Sequence, residues 1–241
     1  MRSLKCLGTG TGSSNFFTGH PSSAYLLQTA GAENLLMDCG TGVGRALMSA
    51  TGGALAHHIY VSHNHSDHTG DLPVYVATAQ AQGSQPVNLY GHRDVLSIVE
   101  IHRLHELRTQ GRSLAVTWHA EDGIVRLPEC RLELELLRTG HSYLCYGFLA
   151  RDLVSGDPIL GWTADSPFDK GLYAKISEAP VVIAHCRTSQ SDDHATFAEV
   201  EKFALTRPAT QFYLSHYEAG ASAPEAMNVT LLRDGMTLDL S

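Results

Sequence analysis

Six consecutive residues carry the strongest chemical signal in the chain: His63-Asn64-His65-Ser66-Asp67-His68. Three imidazoles and a carboxylate on one short stretch offer nitrogen and oxygen donors suited to a borderline divalent cation such as Zn²⁺ or Mn²⁺. In an extended backbone alternate side chains share a face, so His63 and His65 can converge on one ion. A turn after them would let Asp67 and His68 address a second ion nearby. Residues 59–62, directly before the motif, are an apolar run of strand length. Such a cluster points to metal-assisted hydrolysis, in which bound cations lower the pKa of water from about 15.7 toward about 7 and clamp the oxygens of the reacting centre.

The elements that must position these residues alternate in type. Residues 3–7, 24–28 and 34–38 are apolar runs of strand length, and Gly8-Thr9-Gly10-Thr11-Gly12 is a glycine loop between the first two. Helical length and composition mark 41–49, 72–82 and 95–107. Strands are expected at 114–118, 131–137, 145–150 and 159–163. The last third reads as strand 181–184, helix 195–205, strand 211–214 and a terminal strand at 237–240. Mixed strands with helices at both ends predict an α/β (α+β) fold of two sheets sandwiched between helices, with residues 1–241 as a single domain. The glycine loop lacks the G-x-G-x-x-G spacing and opens no amphipathic helix, so it reads as a turn and not as a dinucleotide site.

Composition narrows the function classes. With 241 residues, 43% of them hydrophobic, the chain can bury a core, which excludes global disorder. Seventeen Lys+Arg against 25 Asp+Glu give a net charge of −8, which argues against broad attraction to a nucleic-acid backbone. No apolar run approaches the ~18–20 residues that span a bilayer, and the start lacks a signal-peptide stretch, so a cytoplasmic address without a membrane partner is expected. The cysteines Cys6, Cys39, Cys130, Cys145 and Cys186 are scattered, with no CxxC pair, which excludes a disulfide framework and a thiolate zinc site. Histidine is the outlier at 14 residues. Outside the motif, His57 and His58 are expected at the surface, and His102 and His105 on a solvated helix face.

The H-x-H-x-D-H pattern resembles that of the metallo-β-lactamase superfamily, and the likeness runs along most of the chain. It implies an αββα sandwich with metals in a groove at one edge. The implied cofactor is a pair of divalent ions, Zn²⁺ by preference, with Mn²⁺ or Fe²⁺ able to occupy the same donors. His141, in Thr139-Gly140-His141-Ser142, matches the third histidine of the first metal beside His63 and His65. Asp165, in Thr163-Ala164-Asp165-Ser166, matches the carboxylate that bridges both metals. His216, in Leu214-Ser215-His216, matches the last ligand of the second metal, together with Asp67 and His68. Asp38 matches an early aspartate that orients a ligand from behind, and His185 is expected in a supporting or buried structural role.

Three features resemble the ribonuclease Z branch and its small phosphodiesterase relatives: Leu7-Gly8-Thr9-Gly10, Thr69-Gly70-Asp71-Leu72-Pro73, and the segment 192–199. In that branch the histidine of the last segment, here His194, faces the phosphate opposite the metals. The expectation is a catalytic His194 at a helix N-terminus, its charge supported by Asp193, acting as general acid while Asp67 works at the metals. Ser142, Arg187 and Tyr217 are candidate substrate contacts. Ribonuclease Z carries its tRNA-gripping arm in the interval between His141 and Asp165; here only 24 positions separate the two. The stretch from Gly140 to Phe148 resembles the phosphoribosyl cyclic phosphodiesterase of phosphonate degradation, whose cysteine-rich zinc insert is missing from residues 15–23. The resemblance therefore implies a dinuclear-metal phosphodiesterase for a small cyclic phosphodiester, a cyclic nucleotide or cyclic sugar phosphate, using a metal-bridging hydroxide. Nucleic acid is not the expected partner, and family members often pair as homodimers. The alternatives are tRNA 3′-processing, thioester or lactone hydrolysis on the same fold, and a non-catalytic nucleotide-binding module.

Overall fold

In residues 132–138 Leu132, Leu134 and Leu136 are buried while Glu133 and Glu135 between them stay partly exposed. That period of two builds a strand with one core face. The computed structural model describes residues 2–12, 14–109 and 116–240. In chain order its elements are β1 Ser3–Gly8, α1 Ser14–Thr18, β2 Ala24–Gln28, β3 Leu35–Met37, α2 Val43–Thr51 and β4 His58–Tyr60. Next come α3 Ser66–Thr69, α4 Leu72–Ala81, β5 Val87–His92, α5 Arg93–His102, α6 His105–Thr109, β6 Val116–Glu121 and β7 Ile124–Leu127. After them follow β8 Leu132–Arg138, β9 Tyr146–Asp152, β10 Pro158–Trp162, α7 Lys170–Ile176 and β11 Val181–Arg187. The last are β12 Ala195–Thr196, α8 Phe197–Ala204, β13 Gln211–Ser215, β14 Val229–Leu231 and β15 Thr237–Asp239.

The first sheet runs β15-β1-β2-β3-β4-β5-β6 and the second β14-β13-β11-β10-β9-β8-β7, with β12 paired to β11. Each sheet changes from antiparallel to parallel pairing partway across, at β3 in the first and β10 in the second. Edge-on aromatic pairs stitch the two together: Tyr60 with Phe148 at 5.0 Å, Tyr60 with Trp162 at 5.9 Å and Tyr25 with Trp162 at 6.2 Å between ring centroids. All four rings are buried, and such T-shaped contacts add to the burial of their area. Tyr173 and Ile176 of α7 and Val200 and Phe203 of α8 cover the outer face of the second sheet over Val182, Ala184 and Phe212. Val43 and Leu47 of α2, Val76 of α4 and Val99 of α5 join the core of the first. This is the αββα sandwich of the metallo-β-lactamase fold. Among the described residues no helix is long and apolar enough to cross a membrane.

Several local expectations change. The helix expected over 95–107 is two helices, interrupted at Arg103 and Leu104. Strands β5, β7 and β14 and helix α7 fall outside the segments marked in the sequence, and residues 114 and 115 of the expected strand 114–118 lie outside the described residues. His58 is buried and not at the surface: β4 runs between β3 and β5, and the His58 Nδ1 meets the Tyr90 hydroxyl at 2.9 Å.

Candidate metal centre

Parallel neighbours end at the same edge, and this delivers the site. Met37 of β3 lies beside Tyr60 of β4, so Asp38 and the stretch leading to His63 leave the sheet together. In the second sheet Trp162 of β10 pairs with Ile183 of β11, and His185 with Ser215 of β13, so Asp165, His185 and His216 emerge side by side. Carboxyl ends of parallel strands are where α/β folds place ligands. The backbone bends hard at this edge. Of the five non-glycine residues with positive φ among the described residues, Asp38 (61°), Ser142 (22°), Ala164 (48°) and His216 (62°) all lie at or beside site positions. Such conformations cost of order 1–3 kcal/mol each and persist where surrounding structure enforces them.

A hydrogen-bond chain sets the protonation of the histidines. Asp38, fully buried, accepts from the Ser62 N–H (2.8 Å), the Ser62 hydroxyl (2.7 Å) and the His68 Nδ1–H (2.6 Å). The Ser62 oxygen, having given its proton to Asp38, accepts from His63 Nδ1–H at 3.0 Å. His141 Nδ1–H donates to the Asp193 carbonyl at 3.0 Å. Each of these rings thereby has its Nδ1 tied down and turns Nε2 toward Asp165 Oδ2, at 3.8 Å for His63, 3.4 Å for His68 and 3.5 Å for His141. His65 Nδ1 stands 3.3 Å from His141 Nε2. Tying Nδ1 to an acceptor so that Nε2 faces a cation is how proteins prepare imidazole ligands.

Among the described residues, two overlapping groups have donor atoms within 4.8 Å of one another: His63, His65, His141 and Asp165, and His68, Asp165, His185 and His216. In the second group His185 is not available as a ligand. Its Nε2 faces the indole N–H of Trp162 at 3.2 Å, and its Nδ1 meets Asp165 Oδ1 at 2.8 Å. Asp67 could offer a further oxygen there, its Oδ2 lying 3.2 Å from His216 Nε2 and 3.6 Å from His68 Nε2. A divalent cation fits these donors. The Nε2 atoms of His63 and His68 are buried and have no hydrogen-bond partner among the described residues, an arrangement that costs free energy unless something binds there.

The electrostatics suit a cation at Asp165, His63 and His216. Burial resists charge on Asp165, yet His216 and His68 outweigh it and hold the carboxyl well below the usual carboxylate range. Burial pushes His63 well down, reinforced by His68. It pushes His216 to about 3, against the pull of Asp165. His68 is the exception: burial opposes its charge, but Asp165, Asp67 and Asp38 outweigh it and raise that ring well above the ordinary value, so a cation bound there would displace its proton. Ionised carboxylates and neutral imidazoles are the forms that ligate metals.

Facing this cluster, His194 brings Nε2 to 4.0 Å from Asp165 Oδ2 and 3.3 Å from Arg187 Nη2. Its expected setting is corrected in two respects. The helix begins at Phe197, capped by the Thr196–Glu199 capping box, so His194 precedes its N-terminus. Burial lowers His194 to about 4, opposed by Asp165 and reinforced by Arg187, so the ring is not held charged, and Asp193 presents its backbone carbonyl to His141. Ser142 is exposed beside His141. Tyr217 turns its hydroxyl to the Leu232 carbonyl at 2.5 Å and lines a cavity of about 340 Å³ with Thr9, His20, Arg233 and Asp234. Sequence reasoning missed Ser62, Trp162 and Tyr25. Tyr25 lies 2.9 Å from His185 Nε2 and donates to Ser215 Oγ at 2.6 Å. A serine or tryptophan one to three residues from a ligand was the available signal.

The chain is similar to several known proteins in sequence and shape. The probable metallo-hydrolase YhfI of Bacillus subtilis (strain 168) is 23% identical over 205 residues, spanning 81% of this chain and 79% of its own. Its crystal structure superposes with a TM-score of 0.77 at 19% identity, covering 99% of this chain and 100% of that one. A diphosphatase from the PhnP family superposes at 0.78 with 15% identity, over 100% and 98% of the two chains. Human tRNase Z, short form, superposes at 0.76 with 20% identity, over 99% of each. The family model described as Anti-Pycsar protein Apyc1 matches residues 2–233. On that match, with the sandwich and the cluster at its edge, the chain belongs to the Anti-Pycsar protein Apyc1 family of metallo-β-lactamase-fold, metal-dependent hydrolases.

Proposed function

We propose that this chain is a phosphodiesterase that opens a small cyclic phosphodiester, a cyclic nucleotide or cyclic sugar phosphate, with two divalent ions, preferentially Zn²⁺. His63, His65 and His141 would hold one ion, Asp67, His68 and His216 the other, and Asp165 both. When bound, the ions would supply an acidified water as nucleophile and neutralise charge on the phosphoryl oxygens.

The observation that carries this reading is the pairing of His194 with Arg187 across from Asp165. A guanidinium fork matches the non-bridging oxygens of a phosphodiester. His194, charged once an anion sits against it, would donate its proton to the departing alkoxide. Breaking one P–O bond of a cyclic diester leaves that alkoxide attached, so the product is a monoester. A small substrate is favoured by the interval between His141 and Asp165, which β9 and β10 and their short connections fill. The net charge of −8 also disfavours a polyanion.

The test is a substrate panel on metal-reconstituted protein: bis(p-nitrophenyl) phosphate, cyclic nucleotides, a cyclic ribose phosphate, precursor tRNA, a thioester and a lactone. Turnover of cyclic phosphodiesters to monoesters is expected. Cleavage of precursor tRNA alone, or of the thioester or lactone alone, would overturn the reading.

A further inference from the structure

The ligand motif is gripped from behind by a residue thirty-five positions beyond it. Arg103, at the break between α5 and α6, donates Nη2–H to the Asn64 carbonyl at 2.7 Å and to Ser66 Oγ at 3.1 Å, and Nε–H to Asn64 Oδ1 at 3.2 Å. The amide nitrogen of Asn64 lies 3.2 Å from His102 Nδ1, so both ends of that amide are engaged by neighbouring residues of the break. The geometry follows from alternation. His63 and His65 face the cluster, so the intervening Asn64 projects away from it and is free to serve as an anchor.

The two halves of the motif are held differently. Its second half closes on itself and on the sheet: His68 N–H and Thr69 N–H both donate to the His65 carbonyl at 3.0 Å, and Cys39 N–H donates to the His68 carbonyl at 2.9 Å. At Asn64 the carbonyl instead depends on Arg103, since its other donor, Thr69 Oγ1, is at 3.5 Å. The break that divides the expected helix 95–107 is what aims the guanidinium at this turn. We propose that Arg103 is a positioning residue that preorganises His63 and His65 for metal binding through the backbone of Asn64, without touching substrate. This rests on reading the motif as the metal-binding turn.

Planar donors reaching three acceptors on two residues cannot be reproduced by an ammonium, which is a point charge. Partners behind metal ligands typically govern 10–100-fold of metal affinity. The experiment is a Zn²⁺ titration of the chelator-stripped full chain against a chromogenic chelator, beside the melting temperature of the metal-free protein. Arg103→Ala is expected to weaken Zn²⁺ binding at least tenfold, with the metal-free melting temperature moved only slightly. Arg103→Lys should lie between Arg103→Ala and wild type. Millimolar guanidinium should recover affinity in Arg103→Ala and leave wild type unchanged. Wild-type Zn²⁺ affinity in Arg103→Ala would overturn the proposal, as would a loss that neither lysine nor guanidinium repairs. Absence of Zn²⁺ binding by wild type would instead overturn the metal-site reading beneath it.

Discussion

His185 Nδ1 lies 2.8 Å from Asp165 Oδ1, both groups buried, and the charge on that carboxylate decides where the ring carries its hydrogen. An ionised carboxylate only accepts, so Nδ1 donates to Asp165, while Nε2 faces the Trp162 indole nitrogen at 3.2 Å and the Tyr25 hydroxyl at 2.9 Å. Asp165 is thereby kept ionised and turned so that its other oxygen faces His63, His68 and His141.

Substitutions at His185 separate those two functions. An asparagine amide nitrogen falls close to the position of Nδ1 and can still donate to Asp165, whereas glutamine reaches toward Nε2 and cannot. His185→Asn should retain most of the bound metal measured by elemental analysis, and His185→Gln should lose it. Both variants lose stability, by roughly 1–3 kcal/mol, because the tryptophan N–H or the carboxylate is left without a partner in the interior. Equal metal content in the two would show that His185 does not act through Asp165.

Close backbone approach sets a second constraint. A Cβ added at Gly40 would lie 1.8 Å from the Asp67 carbonyl oxygen and 2.3 Å from its carbonyl carbon. Both obstacles are main chain, so the clash is relieved only by moving the turn that carries Asp67 and His68. Gly40→Ala should destabilise by roughly 3 kcal/mol or more, at or beyond the upper range of overpacking, and should depress metal content in parallel. At Gly123, where a Cβ would meet nothing within 4 Å, the same substitution should be silent in thermal melts and metal analysis.

The metal motif was readable because its information is local: donor types, spacing and a preceding apolar run lie within ten residues. His141, Asp165 and His216 are singled out by the resemblance to the metallo-β-lactamase superfamily, whose later ligands stand at strand ends, and not by any local pattern. What could not be read is tertiary. His58 looked like a surface residue because nothing in the local pattern says that β4 is enclosed by β3 and β5. Strand β5 was hidden by Asn88 and His92 among its apolar residues. Arg103 appeared as one more charge in a polar helix, and its bond to Asn64 spans 39 residues, a pairing that no periodicity encodes.

Replacement of His194 should separate chemistry from metal binding. The ring faces Asp165 across the cleft, and its Nδ1 is buried without a hydrogen-bond partner among the described residues. If it protonates the leaving oxygen, His194→Ala should lower kcat on a cyclic phosphodiester by about 10²–10⁴-fold while metal content stays at the wild-type level. The loss should shrink for substrates with a p-nitrophenolate leaving group, which departs without a proton. A uniform loss across good and poor leaving groups would assign His194 to binding and not to proton transfer.

Acid stability has a separate origin, at the β9–β10 hairpin. Asp152, almost completely buried, accepts from the backbone N–H groups of Val154 and Ser155 at 2.9 Å each and pairs with Arg131 at 3.1 Å and with Arg2. Burial alone would raise its pKa, but those N–H groups and the two guanidinium ions outweigh it and hold it at about 2. An unfolded aspartate titrates near 3.9, so the folded state has the lower affinity for the proton. The stabilisation is therefore fully present above about pH 4 and disappears as the pH falls toward about 2. Asp152→Asn should cost roughly 1–2 kcal/mol at pH 7, a value reduced for solvent screening of the partly exposed arginines. Urea unfolding at pH 7, 4 and 2.5 should show the two proteins converging, because protonation gives the wild type the same neutral side chain that the variant already has. A gap that persists undiminished to pH 2.5 would mean that Asp152 stabilises the hairpin through shape and hydrogen bonding and not through its charge.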